Sequence, residues 1–188
     1  NDIIALVEER DSKILALFRK YLRYGYYPYF MEYEDKDLFY LTLEQNIHTT
    51  VESDLMATYP SLSGNSVKKI KKLLSVIAAS VPFTPDLKRL KNILDIGDER
   101  TLKTYLKYLE DAGIILTLTR SGSGLRELEN PEKIYLNNPS LIHAIASGAN
   151  TGTLRETYFI NMLHGLHKVS LPEKGDFLVD DAYTFEVG

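Results

Sequence analysis

Two acids, Asp176 and Glu186, bracket the segment DFLVDDAYTFE near the end of a 188-residue chain. Apolar residues alternate through it at Phe177, Val179, Phe185 and Val187, the pattern of a half-buried β-hairpin. The acids are therefore either oxygen ligands for a divalent metal or polar positions on a solvated face. A second set, Arg100, Lys103, Thr104 and Lys107, is spaced i, i+3, i+4, i+7 and so lines one face of a helix. Such a stripe of donors suits phosphates, and Arg100 can offer a bidentate fork to guanine. His164 and His167 stand i, i+3 and could share a metal, but with no HExxH motif and no cysteine they read as surface or core residues. His48 and His143 are isolated, and LSGNS lacks the strand-turn-helix setting of a nucleophile elbow. The SGSG run at 121–124 lies between two strands rather than between a strand and a helix, and no G-x-x-x-x-G-K-[ST] occurs, so no phosphate cradle is expected.

Composition narrows the setting of these residues. Apolar content of 44% and charged content of 26% are those of an ordinary globular chain with a hydrophobic core. No run approaches the apolar length of a membrane span, and the opening NDIIALVEERD does not read as a signal peptide. The absence of cysteine excludes disulfides, thiol catalysis and thiolate metal sites, and agrees with a cytoplasmic address. The first residue is not methionine and the last falls within a strand pattern, so the chain is expected to be a piece of something longer. Net charge is −4, yet ten Lys or Arg face four acids between Lys68 and Lys107. That basic segment is either a polyanion-facing surface or a solvated helix face.

The elements that would position these groups follow from periodicity. DSKILALFRKYLRYG predicts a helix stopped at Gly25, and LFYLTLEQNIHTTVESDLMATYP a second one from about Leu38 to Tyr59, ended by Pro60. Between them, Tyr24, Tyr26, Tyr27, Tyr29 and Tyr33 are expected to pack the joint, with base stacking as the alternative. After the linker SLSGNS, SVKKIKKLLSVIAASV predicts an amphipathic helix capped by Ser66. A shorter helix should begin near Pro85 and Asp86 and close at Gly97. DERTLKTYLKYLEDAG predicts a third, with Asp98 as N-cap and Gly113 at C′. IILTLT and KIYLNN then alternate as strands joined by RSGSGLRELENPE. Three helices and a hairpin in this order are those of a winged helix-turn-helix, whose third helix enters the major groove. The wing would add Arg120 and Arg126 but also Glu127, Glu129 and Glu132. LRETYFINMLHGLHKV predicts a last helix marked by Glu156 and Asn161, leading into the Asp-bearing hairpin of an α/β unit.

The serial order of FRKYLRYGYYPYF, TLKTYLKYLEDAGII, KIYLNNPSLIHAI, GTLRETYFINML and GDFLVDDAYTFEVG resembles the C-terminal region of a large bacterial and archaeal family of predicted AAA+ superfamily ATPases. One departure is Tyr26, which replaces the second glycine of that family's G-G pair. The resemblance implies a parent with an N-terminal ATPase domain, which would bind ATP and Mg²⁺, followed by this helical, winged-helix and nuclease-like tail. Its last part is similar to the PD-(D/E)xK nuclease core, in which a metal lies between an Asp and the Glu of an ExK triplet. Carried over, Glu156 is the helix acid, Asp176 the hairpin Asp and Glu186 the Glu of the triplet. Gly188 stands where the lysine belongs.

The expected fold is therefore α+β and mostly helical, with a helical segment over 1–62, a winged helix-turn-helix over 63–147, and a partial restriction-endonuclease-like α/β unit over 148–188. The expected function is a non-catalytic DNA- or partner-binding module of a predicted AAA+ ATPase, contacting double-stranded DNA through Arg100, Lys103, Thr104 and Lys107. Its rivals are a metal-dependent nuclease using Asp176 and Glu186, and a protein-interaction or self-association module built on the tyrosine-rich first half.

Overall fold

Apolar residues at three-to-four spacing fold the first half into helices. In the computed structural model, which describes residues 5–6, 13–120, 130–146, 148 and 150–187, α1 is Ile14–Tyr24. It ends at Gly25, whose N–H donates to the Tyr21 carbonyl. A Cβ on Gly25 would fall 2.2 Å from the Tyr21 ring, so close approach rather than an unusual backbone angle requires glycine there. A 3₁₀ turn, Pro28–Glu32, leads to α2, Lys36–Thr49, capped by Asp35. The helical path continues through a π turn, Thr50–Asp54, into α3, Leu55–Thr58. The tyrosines pack the joint: Tyr24, Tyr29, Tyr33, Phe30 and Tyr40 surround Phe39, which is fully buried. Tyr27 and Tyr26 accept from the amides of Asn138 and Asn161, each at 3.0 Å.

The middle of the chain forms α4 (Gly64–Ala78), α5 (Leu87–Ile93) and α6 (Glu99–Asp111). The cap of α4 is Ser63, whose Oγ accepts from the Ser66 N–H. The helix therefore starts a turn earlier than its apolar run suggested, because Gly64 and Asn65 are solvent-facing members of the first turn. Similarly, α5 ends at Ile93, before Gly97, because Asp95 takes the left-handed conformation (φ 50°) that terminates it. Asp98 and Gly113 (φ 67°) hold the positions expected at the two ends of α6.

Strand β1 (Ile115–Leu118) pairs antiparallel with β2 (Lys133–Leu136). Phe83, between α4 and α5, exchanges two 2.8 Å backbone hydrogen bonds with Ile134 and so extends this ladder on its β2 side. Arg126, Glu127, Glu129, the SGSG run and Gly188 lie outside the described residues. Next come α7 (Pro139–Ile145), α8 (Thr151–Leu163) and a three-stranded antiparallel sheet in the order β3 (Val169–Ser170), β4 (Phe177–Val179), β5 (Tyr183–Phe185). Asp180 and Asp181 both have φ near 55° in the β4–β5 turn, a geometry that asparagine and aspartate tolerate best after glycine.

Both faces of the β1–β2 hairpin are buried. Ile115, Ile134 and Leu136 join the large helical core, whereas Leu116, Leu118 and Tyr135 join a second cluster with Ile160 and Phe177. Leu171 N–H donates to Thr119 O at 2.8 Å, tying the C-terminal sheet to the end of β1.

Truncating Phe39 to alanine removes the ring on which the α1–α2 joint is built. Urea titration should show a loss of about 3–5 kcal/mol. A second expectation concerns His143, which lies against Tyr40. Burial, and after it the charge of Arg23, holds its imidazole below the usual histidine range. The unfolded chain then binds the proton more readily. Stability from this group is complete above about pH 6.5 and declines as pH falls below that value, and in His143→Phe the slope of denaturation midpoint against pH should flatten there.

Candidate functional site

The basic stripe is presented by a well-anchored helix. The Asp98 carboxylate accepts from Thr101 N–H at 2.8 Å and from its hydroxyl at 2.9 Å, bonds that hold its pKa below the ordinary carboxylate value. Leu102, Tyr105, Leu106 and Leu109 form the buried face of α6, which fixes what remains outward. Arg100 is exposed and Lys103 half-buried; neither forms a salt bridge among the described residues, though Arg100 lies near enough to Asp98 to help lower its pKa. Thr104 donates its hydroxyl to the Arg100 carbonyl at 3.0 Å, so it is committed to the helix itself. Lys107 lies 2.8 Å from Asp111 Oδ1 and 3.8 Å from Glu110 Oε2. The hydrogen bond to Asp111 raises its pKa. The sequence stripe thus divides into an open N-terminal half and a neutralised C-terminal end.

The basic segment around it divides the same way. Lys69 donates to Asp95 O, Lys72 to Ile93 O at 2.7 Å, and Lys71 pairs with Glu52. Two of these ammonium groups satisfy carbonyls at the C-terminal end of α5, where a helix favours positive charge. Lys68, Lys88 and Arg89 are exposed. Arg120, at the start of the expected wing, lies 2.9 Å from Glu132.

The three acids of the C-terminal part do not share one task. Glu156 Oε2 accepts from Tyr135 OH at 2.7 Å and from Lys133 Nζ at 2.9 Å, where α8 meets the outer face of β2. Burial first, then Glu156 and Asp176, push the Tyr135 hydroxyl well above its ordinary pKa, so it remains a donor. Asp176 is half-buried and its Oδ2 accepts from the Val187 N–H at 2.7 Å. Glu186 is exposed. Asp176 and Glu186 continue the β4–β5 register, in which Phe177 faces Phe185. Among the described residues no group of three or more His, Asp or Glu is arranged to hold a metal. Periodicity alone could not reveal the ion-paired lysine beside Glu156, because Lys133 lies 23 positions away on β2.

His164 and His167 follow α8 and are bridged to each other through their backbones, while the side-chain partner of His167 is an aspartate. His167 Nδ1 lies 2.7 Å from Asp180 Oδ2, and Lys168 N–H donates to Asp180 Oδ1 at 3.0 Å. Asp180 is thereby a staple of the hairpin turn.

Replacing Glu156 with leucine would leave the Tyr135 hydroxyl and the Lys133 ammonium without their acceptor. The expected loss is about 1–3 kcal/mol by urea titration, with Glu156→Gln costing less because one acceptor oxygen remains.

Comparison with known proteins finds no match among curated proteins and none among solved structures. No helix among the described residues is long and apolar enough to cross a membrane. A family model described as a domain of unknown function (DUF8612) matches residues 15–152, from α1 into the first residues of α8. By that match, which spans most of its length and includes the whole basic helix α6 but not Glu156, Asp176 or Glu186, the chain belongs to the DUF8612 family.

Proposed function

We propose that this chain is a non-catalytic, DNA-binding module whose 63–147 stretch is a winged helix-turn-helix, acting as the C-terminal region of a predicted AAA+ ATPase. The observation that carries the reading is the Phe83–Ile134 pairing. A single bridge residue between α4 and α5 thus lies beside β2, so that the described elements run helix, bridge, helix, helix, strand, strand, with β2 between its two neighbours. In that arrangement α6 is the helix offered to the major groove, its N-terminal residues nearest the bases. Arg100 and Lys103 are the cations on that part of the helix, neither in a salt bridge among the described residues, and Lys88 and Arg89 on the preceding helix are exposed and available to phosphates. ATP and Mg²⁺ would belong to the ATPase domain of the parent.

The hydrogen bonding of the acids favours the non-catalytic reading over a metal-dependent nuclease. Glu156 is engaged by Tyr135 and Lys133, and Asp176 by the Val187 N–H. Each is accounted for as a structural acceptor.

Fluorescence anisotropy with a labelled DNA duplex, repeated over a range of salt, tests the reading. Binding should weaken as salt rises, and Arg100→Ala and Lys103→Ala should each flatten the log–log slope by roughly 0.9 for every phosphate that is no longer neutralised. Lys107→Ala should have a smaller effect, because Asp111 and Glu110 already hold that ammonium. No binding, or binding indifferent to salt, rules the proposal out.

A further inference from the structure

The twelve residues KILALFRKYLRY carry four cations and no acid, and three of those cations line a groove. It runs between α1 and the α7–α8 region, with a volume of about 970 Å³. Leu15, Phe18, Leu22 and Leu154 contribute apolar surface, and Arg19, Lys20, Arg23 and Arg155 contribute charge, with no Asp or Glu in the lining among the described residues. None of the three arginines has an acidic partner among the described residues, and Lys20 is placed over the Phe30 ring at 5.7 Å. Leu15 is 72% exposed, unusual for a leucine on a helix that also packs against α7. The groove therefore combines an apolar wall with a cationic rim. A bare phosphate backbone would satisfy the rim and leave the wall uncovered, whereas a polypeptide bearing both acids and apolar side chains would satisfy both.

Such a segment adjoins the groove on this same chain. In MEYEDKDL, Met31 is 71% exposed and Leu38 50%, and Glu32, Glu34, Asp35 and Asp37 are all exposed. The lysine among them is turned inward: Lys36 donates to the carbonyls of Phe30 and Tyr33 and lies over the Tyr24 and Phe30 rings. That leaves four outward acids flanked by two outward apolar residues. Because Lys20 and Lys36 share the Phe30 ring, the basic and acidic patches meet at one edge. Adjacent patches of opposite sign are self-complementary under a twofold axis, since each then meets the other's counterpart.

We propose that the α1 groove receives the acidic 31–38 segment of a second copy of this chain, forming a salt-sensitive twofold dimer. The contact uses residues outside α6 and does not depend on DNA binding.

Sedimentation velocity on the whole chain tests this. At low salt the protein should form a reversible dimer that dissociates toward about 1 M salt, where charges are screened within ~3 Å. The double variant Arg19→Glu with Arg23→Glu should be monomeric, and so should Glu34→Lys with Asp37→Lys, both with unchanged circular dichroism. Mixing the two variants in equal amounts should restore the dimer, since each reversed groove then meets a reversed segment. A monomeric wild type at low salt overturns the proposal, as does a dimer that survives either reversal or a mixture that stays monomeric. A monomeric wild type that binds polyglutamate in an Arg23-dependent way would assign the groove to a different acidic partner and also overturn it.

Discussion

The structure depends on a short hairpin that has no face left for solvent. With Ile134 and Leu136 sunk in the helical core and Tyr135 in the second cluster, β2 is apolar-facing on both sides although only four residues long. Each fully buried aliphatic side chain there contributes about 1.5–3 kcal/mol. The arrangement has one polar cost, the hydroxyl of a tyrosine with no exposed surface. A buried phenol needs an acceptor, and Glu156 supplies it from α8, with Lys133 neutralising the carboxylate. The same contact that satisfies Tyr135 fixes the last helix, and through it the C-terminal sheet, against the hairpin.

Two further polar links reach across the molecule from the same region. Asn137 and Asn138 follow β2 directly. Asn138, fully buried, caps α7 with its side-chain oxygen and donates to Tyr27 with its amide nitrogen. Asn161 on α8 donates to the Asn137 carbonyl and to Tyr26. The tyrosine-rich turn after α1 is thus held by amides from beyond β2 rather than being spread over the surface for bases. Tyr26 thereby has a role as an acceptor.

Electrostatics shows the difference between a charge count and a charged surface. Four of the ten cations from Lys68 to Lys107 are occupied within the fold: Lys69 and Lys72 on the end of α5, Lys71 on Glu52, and Lys107 on Asp111. What remains outward is concentrated on α5 and the start of α6. The α1 cations draw no notice in the sequence, because alternation with Leu and Tyr makes the helix look like ordinary packing. Only the placement of α7 and α8 beside it turns those cations into the rim of a groove.

The helices, the strands of the β1–β2 hairpin, the Asp98 and Gly113 ends of α6 and the α+β class are all legible in the order of residues, because each rests on periodicity or on a local backbone hydrogen bond. Those signals misplace the start of α4 and the end of α5, where Ser63 and the left-handed Asp95 act through geometry that composition does not encode. Which charges are spent and which are open emerges only on packing. Residues 133 and 156, or 59 and 111, meet only when helices and hairpin come together. For the same reason Asp176 and Glu186 are legible as a pair across a hairpin, while the occupation of Asp176 by a backbone N–H is not. Ionic partners are set by distance in space, and periodicity reports only which face a residue is on.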